Sequence, residues 1–259
     1  MKPLVVISKI NAASQNIKMA LLAMERMAER EPGFWESPDF CMAEYGGEII
    51  SIVPTHDASY YVFASTHKSS SNTPAFTAHT PGNWGSADLG GEPRTLNAAF
   101  GSKVKAAAQK MKEKNTLGWQ VAIEADHHGP TVDKPVLFVE IGSTEKEWEN
   151  SDAGKIAAAG ILAAIRSSSS PLCYVGFGGS HYCPKFAPRI LDGKEAFGHI
   201  ISGYAIEKEG VDEEMVKQAL GKNAEKIEGA MIDWKGIKQE PKQKLIAILE
   251  SLGVKWERA

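Results

Sequence analysis

The sequence predicts an α/β fold built on a mixed sheet covered on both faces, and three observations carry that expectation. Short apolar runs of strand length recur along the chain and alternate with amphipathic or alanine-rich stretches of helical length. The composition is that of a globular protein, 259 residues with 43% hydrophobic and 24% charged, enough for a large core. No repeat, low-complexity tract or clean linker divides the chain, so residues 1–259 read as a single domain.

Residues 4–8, Leu-Val-Val-Ile-Ser, form an apolar run before a polar stretch and read as a buried first strand. Ser14 is positioned to cap a helix on which Ile17, Ala20, Leu21, Met24 and Ala28 repeat at helical spacing, and Glu31-Pro32-Gly33 ends it. Strands are expected near 40–45 and 49–53, with Gly46-Gly47 as the turn between them, and again at 60–64. From about 67 to 93 the chain carries Pro74, Pro81, Gly82, Gly85, Gly90, Gly91 and Pro93, and reads as a long irregular loop insertion of the kind that serves function. Thr95 is expected to cap a helix reaching about Lys114. Central strands follow at 119–124 and 136–141, then an alanine-rich helix over 151–166 and strands at 172–177 and 199–206. The last sixty or so residues are charged and helical in pattern, around 212–220 and 241–252.

Several function classes are disfavoured at this level. A net charge of -3 does not advertise nucleic-acid binding, so any contact with a polyanion would be local. Cys41, Cys173 and Cys183 are too few and too scattered for a disulfide framework, and no Cys-x-x-Cys pair offers a thiolate zinc site. The N-terminal run lacks a cleavage site and no segment approaches the roughly 18 apolar residues of a membrane span. A soluble, reducing, cytoplasmic setting is expected, with no membrane and no DNA partner. The glycines of 176–179 lack the spacing of a Walker or dinucleotide loop, and there is no Gly-x-Ser-x-Gly nucleophile elbow.

Four polar segments end apolar runs and carry the chemistry. Glu124-Ala125-Asp126-His127-His128-Gly129-Pro130 places Glu124, Asp126 and His128 on one face of a regular strand, until Gly129-Pro130 breaks it. Carboxylates beside imidazoles act as acid/base pairs, orient metal ligands, or cap a neighbouring helix. Phe138-Val139-Glu140-Ile141-Gly142-Ser143-Thr144 presents Glu140 as a ligand, a base, or an acceptor for backbone donors; Thr144 and Glu147 have the spacing of a capping box. His67-Lys68-Ser69, with His79 and Asn83 across the long loop, suits an anionic or hydroxylated ligand, and Ser180-His181-Tyr182 and Gly198-His199 add two imidazoles. Lys103, Lys105, Lys110, Lys112 and Lys114 spread around one helix; a solvated surface is the simple reading, and phosphate pairing by Lys103, Lys110 and Lys114 the sharper one.

These segments, in this order over roughly residues 1–206, resemble the archaeal and plant type of D-aminoacyl-tRNA deacylase. The matching residues are 64–69, 79–83, 124–130, 138–145, 179–182 and 198–200. The resemblance implies a three-layer α/β/α domain similar to nucleoside phosphorylases and peptidyl-tRNA hydrolases. It implies an ester hydrolase that frees tRNA from a D-amino acid at the acceptor end, with zinc as cofactor, and the protein is expected to act as a monomer. Where the family usually has threonine this chain has Asp126, an extra carboxylate able to alter metal affinity or a nearby pKa. The site expected is His127, His128 and Glu140 as metal ligands or acid/base groups, with Glu124 or Asp126 beside them. His67, Lys68, His79, Asn83, Ser143, His181 and His199 are expected to contact substrate. The rival readings are a zinc aminopeptidase or amidohydrolase acting on small substrates, and a non-catalytic RNA-binding protein.

Overall fold

The computed structural model describes all 259 residues. In chain order it contains β1 (Leu4–Ser8), α1 (Ala12–Met24), β2 (Ala28–Glu31), β3 (Phe34–Glu36), β4 (Cys41–Tyr45), a 3-10 turn (Ile49–Ser51), β5 (Tyr61–Lys68), β6 (Ala75–His79), β7 (Gly82–Asn83) and β8 (Thr95–Leu96). There follow α2 (Gly101–Lys114), β9 (Gln120–Ile123), β10 (Val136–Ser143), α3 (Glu145–Trp148), α4 (Ser151–Arg166), β11 (Leu172–Phe177) and α5 (Ala187–Leu191). The chain closes with β12 (Glu195–Ile201), α6 (Gly203–Glu209), α7 (Glu213–Gly221), β13 (Ile227–Ile232), α8 (Gln239–Ser251) and β14 (Trp256–Arg258). No helix is long and apolar enough to cross a membrane.

The expected mixed α/β class holds, with the strands divided between two main sheets. The larger has the order β2-β3-β4-β1-β5-β10-β6-β9, in which β6 runs antiparallel to β10 amid parallel neighbours. The smaller, β12-β11-β13-β14, is wholly parallel. Alternation along the central strands sorts the core. Val5, Ile7, Val62, Ala64, Leu137 and Val139 pack with α1, α2 and α4, whereas Leu4, Val6, Tyr61, Phe63, Val136 and Phe138 pack with Ile49, Ile52 and Ala58 on the other face. A third cluster joins the smaller sheet to α6, α7 and α8 through Phe177, Ile206, Val216, Ile232 and Leu245.

Several boundaries depart from expectation. Asn11, not Ser14, caps α1: its side chain accepts from the Ser14 backbone, while Ser14 is buried and accepts from Ser8 N. The helix ends at Met24, and Pro32-Gly33 turns a β2–β3 hairpin instead of stopping a longer helix. Residues 49–53, expected as a strand, begin instead with the 3-10 turn Ile49–Ser51, whose Ile49 covers the back of the sheet; so short an apolar run does not fix its own geometry. Thr95 lies in β8 and the helix begins only at Gly101. The run at 199–206 divides at Ser202, which caps α6 through its side chain.

The largest difference concerns residues 67–93, expected to be irregular. They contain β6, five buried residues inserted between β10 and β9 in the large sheet. Prolines on either side conceal the strand in the sequence, and its Ala-Phe-Thr-Ala-His composition is read correctly only when both neighbours are present to bury it.

Candidate active site

Strand register assembles the site. On β10, Glu140 lies opposite Ser65 of β5 and Thr77 of β6; one step away, Phe138 lies opposite His79, and Gly142 opposite His67. His67, His79 and Glu140 therefore project from the same face of the large sheet, the face away from α1, α2 and α4. A Cβ at Gly142 would come within 2.6 Å of the His67 ring, so glycine there makes room for the imidazole. Glu124, Asp126, His127 and His128 follow β9 and run between the sheets: Ala125 N donates to His181 O, and Asp126 N to Ile200 O, both at 2.8 Å. His128 has a φ of +48°, a turn that swings the ring toward its neighbours. The next residue must be glycine, because a Cβ at Gly129 would lie 2.4 Å from Gly91 N, where the 83–92 loop crosses.

Glu124 is the centre of the arrangement. Its carboxylate is buried, and four imidazoles approach it: His67 Nδ1 at 2.8 Å, His127 Nε2 at 3.6 Å, His181 Nε2 at 3.7 Å and His79 Nε2 at 3.8 Å. Neither Glu124 oxygen has an aligned hydrogen-bond donor, and His79 Nε2 is likewise buried without a partner. The His67 contact is close, but its N–H direction misses the oxygen. Glu140 is better served: Thr77 Oγ1 donates to its Oε2 at 3.0 Å, and His67 Nδ1 and His79 Nε2 lie 3.7 and 3.8 Å from that atom.

The outer nitrogens of the ring are fixed by acceptors. His127 Nδ1 donates to Ala125 O, His128 Nδ1 to Gly129 O, and His79 Nδ1 to Thr80 O. The Nε2 of His127 and of His128 is thereby left with its lone pair facing inward. His181 Nδ1 lies 3.3 Å from the Tyr204 hydroxyl, and His67 Nε2 3.1 Å from that of Tyr182.

Charge divides the ring into two parts. Burial disfavours a protonated His67, yet Glu124 and Glu140 beside it hold its pKa up at about 11. Burial also opposes ionisation of both carboxylates, but His181 and His67 hold Glu124 well below its usual range, and His67 and His79 do the same for Glu140. In contrast, burial and the neighbouring charge on His79 push His128 down to about 4, and burial with the charge on His79 likewise holds His127 well below its ordinary value. At neutral pH His127 and His128 are unprotonated, able to accept a proton or ligate a metal.

Three groups place three ligand atoms within 4.8 Å of one another: His79 with His127 and His128, Glu124 with His127 and His181, and His67 with Glu124 and Glu140. The expected trio of His127, His128 and Glu140 is not among them. The structure joins the histidine pair to His79 and joins Glu140 to His67 and Glu124.

Other expected residues have structural partners. Asp126 does not face the ring of imidazoles: Oδ2 contacts His199 Nδ1 at 2.5 Å and Oδ1 accepts from Ile200 N at 2.9 Å. His199 is fully buried between Asp126 and the Lys222 carbonyl, away from the substrate contact expected of it. Ser143 donates to Thr73 O, and Asn83 donates to Gly90 O and Glu92 O, so each secures a loop. His79, expected to recognise ligand from a loop, is a buried strand residue in the inner ring. Lys68 is exposed at the edge of a cavity, as a substrate contact requires. Thr144 and Glu147 form the capping box the spacing suggested.

The lysines of α2 serve the fold. Lys105 is buried and donates to Ile190 O, Gly193 O and Glu195 O; Lys103 donates to Ser167 O; Lys110 pairs with Glu113 and Lys112 with Asp192. Tyr204 and Thr77 are site residues that sequence reasoning missed. Neither has a local signal: Thr77 acquires meaning only from its register opposite Glu140, and Tyr204 only from the sheet-to-sheet packing that brings α6 to His181.

Comparison with known proteins gives a consistent result. The family described as D-aminoacyl-tRNA deacylase matches residues 54–257. The D-aminoacyl-tRNA deacylase of Thermococcus kodakarensis is 36% identical over 98% of both chains. That of Pyrococcus horikoshii is 35% identical over 96% of this chain and 97% of its own. That of Thermococcus onnurineus is 42% identical over 76% and 72% respectively. A crystal structure of a conserved protein of unknown function superposes with a TM-score of 0.92 at 31% identity, covering 99% of this chain and 95% of the other.

Proposed function

This chain belongs to the D-aminoacyl-tRNA deacylase family, and from that premise we propose that the ring of imidazoles around Glu124 and Glu140 is its hydrolytic centre. The reaction is hydrolysis of D-aminoacyl-tRNA, an ester cleavage that releases the tRNA and the D-amino acid. The observation that carries the assignment of the site is Glu124, a buried carboxylate with four imidazoles around it and neither oxygen satisfied by a hydrogen bond. Buried polar atoms left in that state are costly, and in native proteins they mark sites completed by something else.

The donor set fits zinc. Glu124, His127 and His181 supply the two-histidine, one-carboxylate combination used by catalytic zinc sites. The inward Nε2 of His127 is set by its outer hydrogen bond, and His181 is oriented through Tyr204, as metal-bound imidazoles require. Both rings are partly exposed, 23% and 30%, whereas the group of His67, Glu124 and Glu140 is closed to solvent. Zinc held by these three residues would supply a Lewis acid for the ester carbonyl. His128, neutral and with a free Nε2 at the cavity wall, takes the proton from the attacking water. Protonated His67 places a positive charge between Glu124 and Glu140 and lets both remain ionised in a dry environment. Thr77 fixes the Glu140 carboxylate by its hydroxyl.

The test is hydrolysis of matched D- and L-tyrosyl-tRNA with and without chelator, followed by zinc add-back. D-selective cleavage that chelator abolishes and zinc restores is expected. D-selective cleavage indifferent to chelator removes the metal and leaves the chemistry to imidazole and carboxylate. The small-substrate amidohydrolase reading has no support from the relatives.

A further inference from the structure

Two cavities meet at the imidazole ring, and they differ in size and in charge. The larger, about 520 Å³, is lined by Asn11, Ser65, Thr66, His67 and Lys68 among others. The smaller, about 200 Å³, extends past Trp84, Ser86, Asp88, Ala205 and Glu209. Leu89, His127, His128 and Tyr204 belong to both, so the reactive groups form the wall between them. Lys68 and Asn83, both expected from the sequence to contact substrate, lie on different sides of that wall.

From this arrangement we infer that the substrate straddles the wall, with the 3′-terminal nucleotide of the tRNA in the larger cavity and the D-aminoacyl group in the smaller. The inference rests on the deacylase reading above and adds which side of the site reads which half of the substrate. Size is the first argument. The larger cavity lies within the roughly 300–1,000 Å³ of ordinary ligand sites, and the smaller suits only the lesser part of the substrate. Charge is the second. Lys68 has no carboxylate partner, and its ammonium lies 5.7 Å from the centre of the Trp148 ring. It also lines an adjoining open groove of about 510 Å³ with Ser69, Ser70 and Trp148. A phosphodiester chain leaving the larger cavity by that route meets a free cation, hydroxyls and an aromatic face, the groups that hold single-stranded nucleic acid. Glu48 and Glu140 are the carboxylates that line this cavity, Glu140 beside the protonated His67, and Glu145 lines the groove.

The rim of the smaller cavity is the reverse. Its one lysine, Lys208, is held by Glu209 at 3.0 Å and Asp88 at 3.7 Å, leaving an acidic balance that repels phosphate and suits the α-ammonium of an aminoacyl ester. Ala205 and Trp84 then border the side chain of the amino acid, and their bulk sets which D-amino acids fit.

Ala205→Phe and Lys68→Ala, assayed on D-tyrosyl- and D-alanyl-tRNA, test the division. Narrowing the smaller cavity should lower kcat/KM for the tyrosyl ester at least tenfold relative to the alanyl ester. Lys68→Ala should raise KM for both esters alike and leave their ratio unchanged. Ala205→Met gives a graded version should the phenylalanine variant misfold, with an intermediate ratio expected. A tyrosyl-to-alanyl ratio that stays at the wild-type value in both Ala205 variants, or that moves with Lys68→Ala, overturns the assignment. Failure of the wild-type protein to cleave either D-ester would instead overturn the deacylase reading on which it rests.

Discussion

Replacing Asp126 with alanine separates a structural carboxylate from a catalytic one. Asp126 lies two residues from Glu124 and beside the histidine pair, and sequence alone makes it a candidate for the reaction. In the structure its two oxygens face His199 Nδ1 and Ile200 N, and the His199 side chain is fully buried. Removing the carboxylate leaves a buried imidazole and a buried amide without their acceptor. Breaking a buried, hydrogen-bonded pair from one side costs about 3–5 kcal/mol. For a chain of this size each kcal/mol moves Tm by roughly 2–4 °C, so a drop of roughly 6–20 °C is expected. Asp126→Asn keeps an acceptor for Ile200 N and should lose much less. The assay is thermal unfolding in parallel with initial rates measured well below the lower Tm. The account requires a large loss of stability with kcat reduced by no more than a few-fold. An alanine variant as stable as the wild type but without activity would refute the reasoning and return Asp126 to the reaction.

Other outcomes follow from the same geometry. Lys105→Met leaves the carbonyls of Ile190, Gly193 and Glu195 without their donor and should destabilise the fold by about 2–4 kcal/mol with KM for tRNA unchanged; a raised KM with normal stability would make α2 a tRNA surface. His128→Ala should unfold at a temperature close to the wild type while turnover falls by at least about a hundredfold; unaltered turnover removes His128 from the mechanism. In metal-free protein, stability should peak near neutral pH. Native His128 binds its proton only near pH 4 against an ordinary 6.5, so stability falls as pH drops through that interval. Native His67 keeps its proton to about pH 11, so its contribution, complete below 6.5, is lost as pH rises toward that value. Urea midpoints measured across this range check the profile, and a monotonic rise or fall contradicts it.

What was legible in the sequence was whatever local chemistry determines. The apolar runs that became β1, β10 and β11, and the alanine-rich α4, carry their periodicity in themselves, and the polar residues at or just beyond the ends of β5, β9, β10 and β11 marked the site. Two kinds of information were missing. One was long-range pairing: β6 becomes a strand only between β10 and β9, and with it His79 moves from an imagined loop to the inner ring. The other was the identity of hydrogen-bond partners. Asp126, Ser143, Asn83 and His199 are residue types that serve reactions and folds equally well. Only the structure shows their donors and acceptors already engaged, while both oxygens of Glu124 and the Nε2 of His79 are not. The basic helix shows the same limit, since Lys105 is legible as a cation but not as the buried donor to three carbonyls.

Glu124 is the residue on which the proposed hydrolytic centre depends. The most direct measurement is single-turnover hydrolysis of D- and L-tyrosyl-tRNA by wild-type protein and by Glu124→Gln, with the fold of each checked by near-ultraviolet circular dichroism. Wild type should cleave the D-ester selectively, and the folded glutamine variant should be slower on it by about two orders of magnitude or more. A folded Glu124→Gln protein that hydrolyses D-tyrosyl-tRNA at the wild-type rate would contradict the placement of the reaction in this ring.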